Sequence, residues 1–398
     1  MNKYKKIEIF EGISRNIFIL GLISLFTDLS SQMVFPLIPL FLTTVLGTGA
    51  YVVGIVEGAA ETTASLLKFV SGYWSDKIKK RKPFVLFGYS LSTITKPLFA
   101  FANIWSFVLF IRVIERVGKG LRTAPRDAIV AESSDESVRG KAYGFQRTMD
   151  GIGSVIGALL AFLLLPIIGY RNIFLFAFIP GIIAVFVILF IKERKIPAKK
   201  KEPREISIKL SFKELSVNLK LFVIASSIFT MGNFGYAFLL LRTIDIGYTD
   251  SNAILFYVLF YIIYTICAIP FGILSDRIGR KPVLIAGYAL FSITSLGLIF
   301  ASNIYSILLL FVIYGIFYAM IDGAQRAFVV DLAPKHLKAT ALGTFHTAIG
   351  LVALPGGFIA GLLWDKISPE TTFLYGFILA IISIVLFMFV KDKTKVTN

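Results

Sequence analysis

Cysteine is almost missing from this chain. Cys267 is the only one in 398 residues, so no internal disulfide can form and no cysteine cluster can hold a metal. Histidine occurs twice, which leaves no His-Glu-x-x-His metal motif. No Gly-rich loop ending in Gly-Lys-Ser or Gly-Lys-Thr is present, so direct drive by ATP through such a loop is excluded. No nucleophile elbow is present either, and no enzyme or cofactor is expected. Charge is scarce as well: 16% of residues, where a soluble domain carries about a quarter. A soluble core of this length would also tend to split into several domains.

What the chain has instead is apolar residues, 56% of the total, with a mean hydropathy of +0.79. They fall into stretches long enough to cross a hydrocarbon core of ~30 Å. Twelve such spans are predicted at 17–45, 51–71, 84–102, 105–130, 142–165, 172–191, 221–244, 253–271, 283–300, 305–330, 341–363 and 372–390. The basic start, Met1 to Arg15, leads into a span long enough to be the first membrane helix and not a cleaved signal.

The net charge of +17 would point to nucleic acid in a soluble protein. Its placement argues otherwise. Of 41 Lys and Arg, 29 lie in the termini and the loops that follow even-numbered spans. Only Arg171 and Lys366 lie in the loops that follow odd-numbered spans. By the positive-inside rule both termini are cytoplasmic, as expected of a multi-pass protein of the cytoplasmic (inner) membrane. The basic surface then meets anionic lipid head groups, and no nucleic-acid partner is expected.

Residues 192–220 form the one long polar segment, with ten Lys or Arg against four Glu. It reads as a cytoplasmic linker, with room for a short amphipathic helix on the membrane surface. It divides the chain into 1–191 and 221–398, and these two halves repeat one another. Gly72-Tyr-Trp-Ser-Asp76 matches Gly272-Ile-Leu-Ser-Asp276, and Pro83 to Tyr89 matches Pro282 to Tyr288. Asn103 aligns with Asn303, Arg126 with Arg326, and residues 138–144 with 337–343. Two parallel copies of a six-helix unit are a transporter architecture.

The run Gly272-Ile-Leu-Ser-Asp276-Arg277-Ile-Gly279-Arg280-Lys-Pro282 resembles the loop G-x-L-x-D-R-x-G-R-K of the major facilitator superfamily. The first copy, residues 72–83 (GYWSDKIKKRKP), keeps Gly72 and Asp76, has Lys77 in place of the arginine, and has Lys79 where the glycine stands. The resemblance covers the whole chain. It implies an all-α integral membrane fold: twelve helices in two pseudo-symmetric six-helix bundles. It implies a monomeric secondary transporter that moves a small-molecule substrate, with these loops latching the halves in the outward-facing state. It also implies a cavity lined by spans 1, 4, 7 and 10. The glycine at the end of the second helix should let a neighbouring helix approach closely.

Ionisable groups at mid-bilayer cost roughly 2.5–3.5 kcal/mol each, so they seldom face lipid. Span 4 carries Arg112, Glu115, Arg116, Lys119, Arg122 and Arg126 on one stripe, which must face protein or water. Arg112-x-x-Glu115 partly resembles the family motif R-x-x-Q-G-x-G, which implies a role in proton coupling. Asp28, Ser31, Gln32 and Phe35 share a face of span 1; Arg147 and Asp150 share one of span 5; Glu57, Glu61 and Lys68 share one of span 2. Asp322, Gln325 and Arg326 share a face of span 10. Two readings compete. These groups are neutralising pairs that hold the bundle, or some of the carboxylates change protonation during a cycle. Asp28, Arg112, Glu115, Arg147 and Asp150 are the proton-coupling candidates, with a proton as the expected coupling ion. Glu57, Glu61 and Lys68 are expected to serve packing.

The C-terminal half is richer in aromatics. Gln32, Asn233, Tyr236, Tyr261, Tyr314, Asp322, Gln325 and Arg326 are the candidates for a substrate cavity, against packing for the aromatics. Span 5 keeps Gly153-x-x-x-Gly157 but lacks the proline of the drug/proton antiporters, which weakens a drug-efflux reading. The positive bias of span 4 favours an anionic substrate and Asp28 a cationic one. Efflux is favoured; uptake of a small anionic metabolite, a non-transporting sensor and a lipid-moving protein are the alternatives. The topology is directly testable. In a Cys267→Ser background, Lys200→Cys should resist an impermeant maleimide in intact cells, while Asn303→Cys reacts. The reverse pattern would invert the orientation.

Overall fold

A backbone in hydrocarbon must satisfy its own hydrogen bonds, and helices do so within one segment. The computed structural model describes residues 14–78, 80–134, 139–192, 215–334 and 337–391. Within them lie α1 (Arg15–Val45), α2 (Ala50–Ile78), α3 (Lys82–Phe101), α4 (Trp105–Glu132), α5 (139–168) and α6 (170–188). The second half holds α7 (Val217–Asp245), α8 (Asp250–Ile278), α9 (Arg280–Phe300), α10 (Ile304–Leu332), α11 (Lys338–Lys366) and α12 (Pro369–Met388). Among the described residues nine helical runs are long and apolar enough to span a membrane. One of these, Lys141–Ile188, contains both α5 and α6 and turns at Gly169, where φ is +73°. The other two helices, α2 and α4, are the ones most loaded with charge. Most of the proposed linker, residues 193–214, lies outside the described residues, as does Lys79.

Several helices are interrupted midway, α1, α7 and α10 among them. α1 leaves helical form between Gln32 and Leu37, just ahead of Pro36, which has no N–H to give. α7 breaks at Asn233, whose side-chain oxygen accepts the Gly235 N–H at 3.1 Å. α10 breaks at Gly323. Such breaks are tolerated at membrane depth only where protein or water replaces the lost backbone bonds.

The sequence repeat has a structural counterpart at the face that carries the basic loops. Lys82 Nζ donates to the Leu189 and Ile191 carbonyls at the end of α6, at 2.9 and 2.8 Å. Lys281 does the same for Met388 and Val390 at the end of α12, at 2.8 and 2.7 Å. An ammonium there satisfies orphan carbonyls and suits the negative end of the helix dipole. Arg81 pairs with Glu132 at the end of α4 (2.7 Å), and Arg280 meets Asp331 at the end of α10 (3.6 Å). These basic residues therefore tie helices within each half.

The halves meet along α2 and α11 and along α5 and α8. At the first crossing Gly54 and Gly357 lie backbone to backbone, so a Cβ on either would strike the other's carbonyl. Thr62 donates to the Gly350 carbonyl one turn pair further along. At the face away from the basic loops, the Asp365 carboxylate on α11 accepts the N–H groups of Ala50 and Tyr51 at 2.9 and 2.8 Å. A carboxylate from one half thus caps the first turn of α2 in the other. Nearby, Asp250 accepts from the Tyr170 hydroxyl and from Thr44. Among the described residues, the hydrogen bonds and ion pairs seen between the halves lie at the far face or at mid-depth. Gly144 and Gly272, near the basic face, have open space where a Cβ would point. Gly72, where a close approach was expected, has Ala124 at 3.3 Å, whereas Gly272 has no neighbour within 4 Å. Removing the Asp365 clamp should be measurable: Asp365→Ala is expected to lower stability to thermal unfolding in detergent by about 1–2 kcal/mol. An unchanged melting point would show that the clamp carries no load.

Candidate functional site

The stripe on α4 turns into the protein. Arg112 has no exposure at all. Its Nη2 donates to both oxygens of Glu57 on α2, at 3.1 and 2.9 Å, and its Nη1 to Glu115 at 3.4 Å. The guanidinium also lies over the Phe35 ring, 4.1 Å from its centroid, and Arg116 lies near the same ring at 4.7 Å. Glu57 was expected to serve packing; it is the main partner of Arg112. Glu115 is fully buried, with the Arg116 Nε 3.5 Å from one of its oxygens. Further along, Arg122 lies over Tyr89 and bonds Ser92 and the Gly88 carbonyl, all on α3. Arg126 pairs with Asp127 beside it.

Two further elements meet this stripe. Lys96 on α3 is fully buried and donates to the Ser30 hydroxyl of α1 at 2.7 Å, and Ser30 donates in turn to the Ala177 carbonyl of α6. The sequence reading passed over Lys96. Its signal was a lone lysine inside an apolar span. Asp28 and Asp150, from α1 and α5, lie within electrostatic reach of each other. Neither has an ion-pair partner among the described residues, and Asp150 Oδ1 is buried without a hydrogen bond.

Across the interface the C-terminal half answers with tyrosines and one acid. Gln32 donates to the Tyr261 hydroxyl at 2.6 Å and accepts from Tyr257 at 2.8 Å. Arg147 and Asp150 share a face, but Arg147 pairs with Asp322 on α10, at 3.8 Å. Asp322 also takes Arg326 at 3.0 Å and the Tyr264 hydroxyl at 3.1 Å. Arg147 and Arg326 keep 50% and 38% of their side-chain surface exposed, and Glu61 is exposed as well. Exposed charge at mid-membrane must face water, so these residues mark an aqueous space between the halves.

Several cavity candidates stand elsewhere. Gln325 turns away from Asp322 and Arg326; it bonds Tyr288 on α9 at 2.8 Å. Tyr314 is buried among Phe260, Phe317 and Tyr318 in the core of the second half. Asn233 is a helix cap. Tyr236 reaches the centre, 5.0 Å ring to ring from Tyr257. In the second loop, Arg280 pairs with Asp276 and bonds Ser275, while Gly279 takes φ +98°, which a side chain rarely adopts. Arg277 is exposed, as is Lys77; the Asp76 side chain lies outside the described residues. Among the described residues no three His, Cys, Asp or Glu side chains gather as metal ligands.

A buried charge left without its partner costs about 3–5 kcal/mol. Glu57→Gln is therefore expected to destabilise strongly in thermal unfolding, and adding Arg112→Gln should recover part of the loss. A Glu57→Gln protein as stable as the parent would show that the pair is not what neutralises Arg112.

The comparisons agree with this geometry. The model of the Major Facilitator Superfamily matches residues 20–254 and 221–398. An uncharacterised MFS-type transporter of Methanocaldococcus jannaschii is 42% identical over 397 residues, 98% of each chain. The multi-drug resistance efflux pump PmrA of Streptococcus pneumoniae is 34% identical over 122 residues, 30% of each. Among solved structures, the nucleoside transporter NupG superposes with a TM-score of 0.79 at 15% identity, covering 95% of this chain and 100% of that one. A bacterial homologue of the lysosomal transporter Spinster gives 0.73 at 13%, covering 94% and 96%. Matched along its length by the family model and by a full-length relative, the chain belongs to the major facilitator superfamily of membrane transporters.

Proposed function

We propose that this transporter couples protons to the movement of a small molecule by alternating access, with export from the cytoplasm as its direction. The observation that carries the reading is the charged layer at mid-depth, clamped shut at the far face by Asp365 and Asp250 and parted toward the basic face. By the positive-inside rule the basic face is cytoplasmic, so the site loads from inside the cell. Both termini and the 192–220 linker then lie in the cytoplasm, and the protein acts as a monomer among anionic lipids.

Asp28 and Asp150 supply the proton site in this reading. They lie within electrostatic reach of each other and neither makes a direct ion pair among the described residues, with Lys119, Arg126 and Arg122 acting on Asp28 only at longer range; a proton is a counter-ion such a pair of acids can share. Arg112, Glu115 and Arg147 transmit its charge to the interface: Arg147 through Asp322, and Arg112 through Glu57 on the interfacial helix α2. The loops with Gly72, Asp76 and Lys77, and with Gly272, Asp276, Arg277, Gly279 and Arg280, are proposed to gate the cytoplasmic side. Arg280 now bonds within its own half and is free to re-pair when the halves close.

The test is flux. Protein is reconstituted in liposomes with a pH dye inside, and candidate organic anions and amphipathic cations are added under a proton gradient. Substrate-dependent proton movement, abolished in Asp28→Asn, is expected. No proton movement with any compound, from protein that is folded and binds ligand, would remove proton coupling and leave a facilitator or a sensor.

A further inference from the structure

Buried polar atoms in a folded protein are almost always hydrogen-bonded, so a cluster of exceptions needs a cause. Three buried donors here have neither a hydrogen bond nor an ion-pair oxygen: Arg112 Nε, Arg116 Nη1 and the Tyr236 hydroxyl. They lie together. The two guanidinium groups share the Phe35 ring, and both lie within electrostatic reach of Tyr236 from the opposite half. Arg116 keeps only 7% exposure, so bulk water cannot serve it freely. The one unpaired acceptor in the group is Glu115 Oε1. Donors exceed acceptors, and the shortfall is that of an absent anion.

Two more cations stand on the open side. Lys119 is one turn along α4 from Arg116, and Lys68 faces it from α2. Neither ammonium makes an ion pair or a hydrogen bond with another described residue. The nearby acid, Glu61, is exposed and is bonded by the Ser65 hydroxyl. The cations cannot spread to relieve their repulsion, because Gly120 of α4 is packed on Leu67 and Ala64 of α2. An amphipathic cation entering here would meet Arg116, Lys119 and Lys68 head on. A carboxylate or phosphate would meet a forked guanidinium, an ammonium and a phenol, which suits its geometry and charge.

We propose that the transported substrate is a small organic anion, a carboxylate or phosphate monoester, held by Arg116, Lys119 and Tyr236. This rests on the transport reading above and names its substrate class. The source is the free anion and not a lipid head group, since the orphaned donors lie on the axis between the halves, away from the lipid-facing surface.

The test uses the full chain in phosphatidylcholine nanodiscs, with inorganic phosphate, glycerol 3-phosphate and succinate as probes and tetraphenylphosphonium as the cationic control. Binding is read as a saturable rise in melting temperature. At least one anion is expected to bind, and Lys119→Gln and Arg116→Gln should each weaken it by about tenfold or more, with Arg116→Lys recovering part. Lys119 is half-buried, so Lys119→Gln carries the test if Arg116→Gln does not fold. Saturable binding of tetraphenylphosphonium alone would overturn the proposal. So would an anion effect that is equal in the parent and both glutamine variants, which is screening only. Loss of anion binding in phosphatidylglycerol nanodiscs would assign the site to a lipid head group and overturn the free-anion source. Binding without any coupled proton flux would sink proton-coupled transport but leave the site standing. Flux driven by cations with no anion binding would do the opposite.

Discussion

A guanidinium at the middle of a bilayer must have its counter-charges built in, and the arrangement around Arg112 follows from that constraint. Glu57 and Glu115 neutralise it, and Phe35 covers it. Because Glu57 sits on α2 and Glu115 on α4, the ion pairs fix how these two helices lie against each other. α2 is also the helix that packs on α11 of the other half, through Gly54 and Gly357. The charge that holds the first half together is thereby one helix away from the surface on which the halves meet. In such a place a change of charge is felt as a change of packing.

The two faces of the molecule differ in the same economical way. At the far face, two carboxylates, Asp365 and Asp250, reach across between halves to backbone N–H and hydroxyl groups. At the basic face the polar contacts that are seen stay within each half, as lysine caps on α6 and α12 and arginine pairs at the ends of α4 and α10. Each half is a rigid body at one end and is joined to its partner at the other. A rocking motion needs such bodies, and weak, exchangeable bonds between them.

Much of this was legible in the sequence. Apolar run length gave the spans, loop charge gave the expected orientation, and the matched runs around Gly72 and Gly272 gave the repeat. Gly153 and Gly157, read as a close-packing pair, lie against the backbone of Leu25 and Leu29 on α1. Helical spacing, however, tells which residues share a face and not what that face meets. Arg147 and Asp150 share a face, yet Arg147 reaches Asp322 in the other half. Spacing also groups residues that end on different neighbours: Gln325 bonds Tyr288 on α9, while Arg326, one position on, stays with Asp322 at the interface. Lys96 was hidden for a different reason: a single lysine in an apolar span has no periodic partner to mark it.

The central claim is that the clamped face and the parted face exchange roles about the charged layer. Paired spin labels measure this directly, one pair at Val45 and Tyr248 on the far face and one at Ile78 and Ile278 on the basic face. With each distance followed by double electron–electron resonance in nanodiscs as the pH is lowered, the account predicts opposite changes: the far pair lengthens as the basic pair shortens. Two distances that stay fixed, or that move in the same direction, would contradict it.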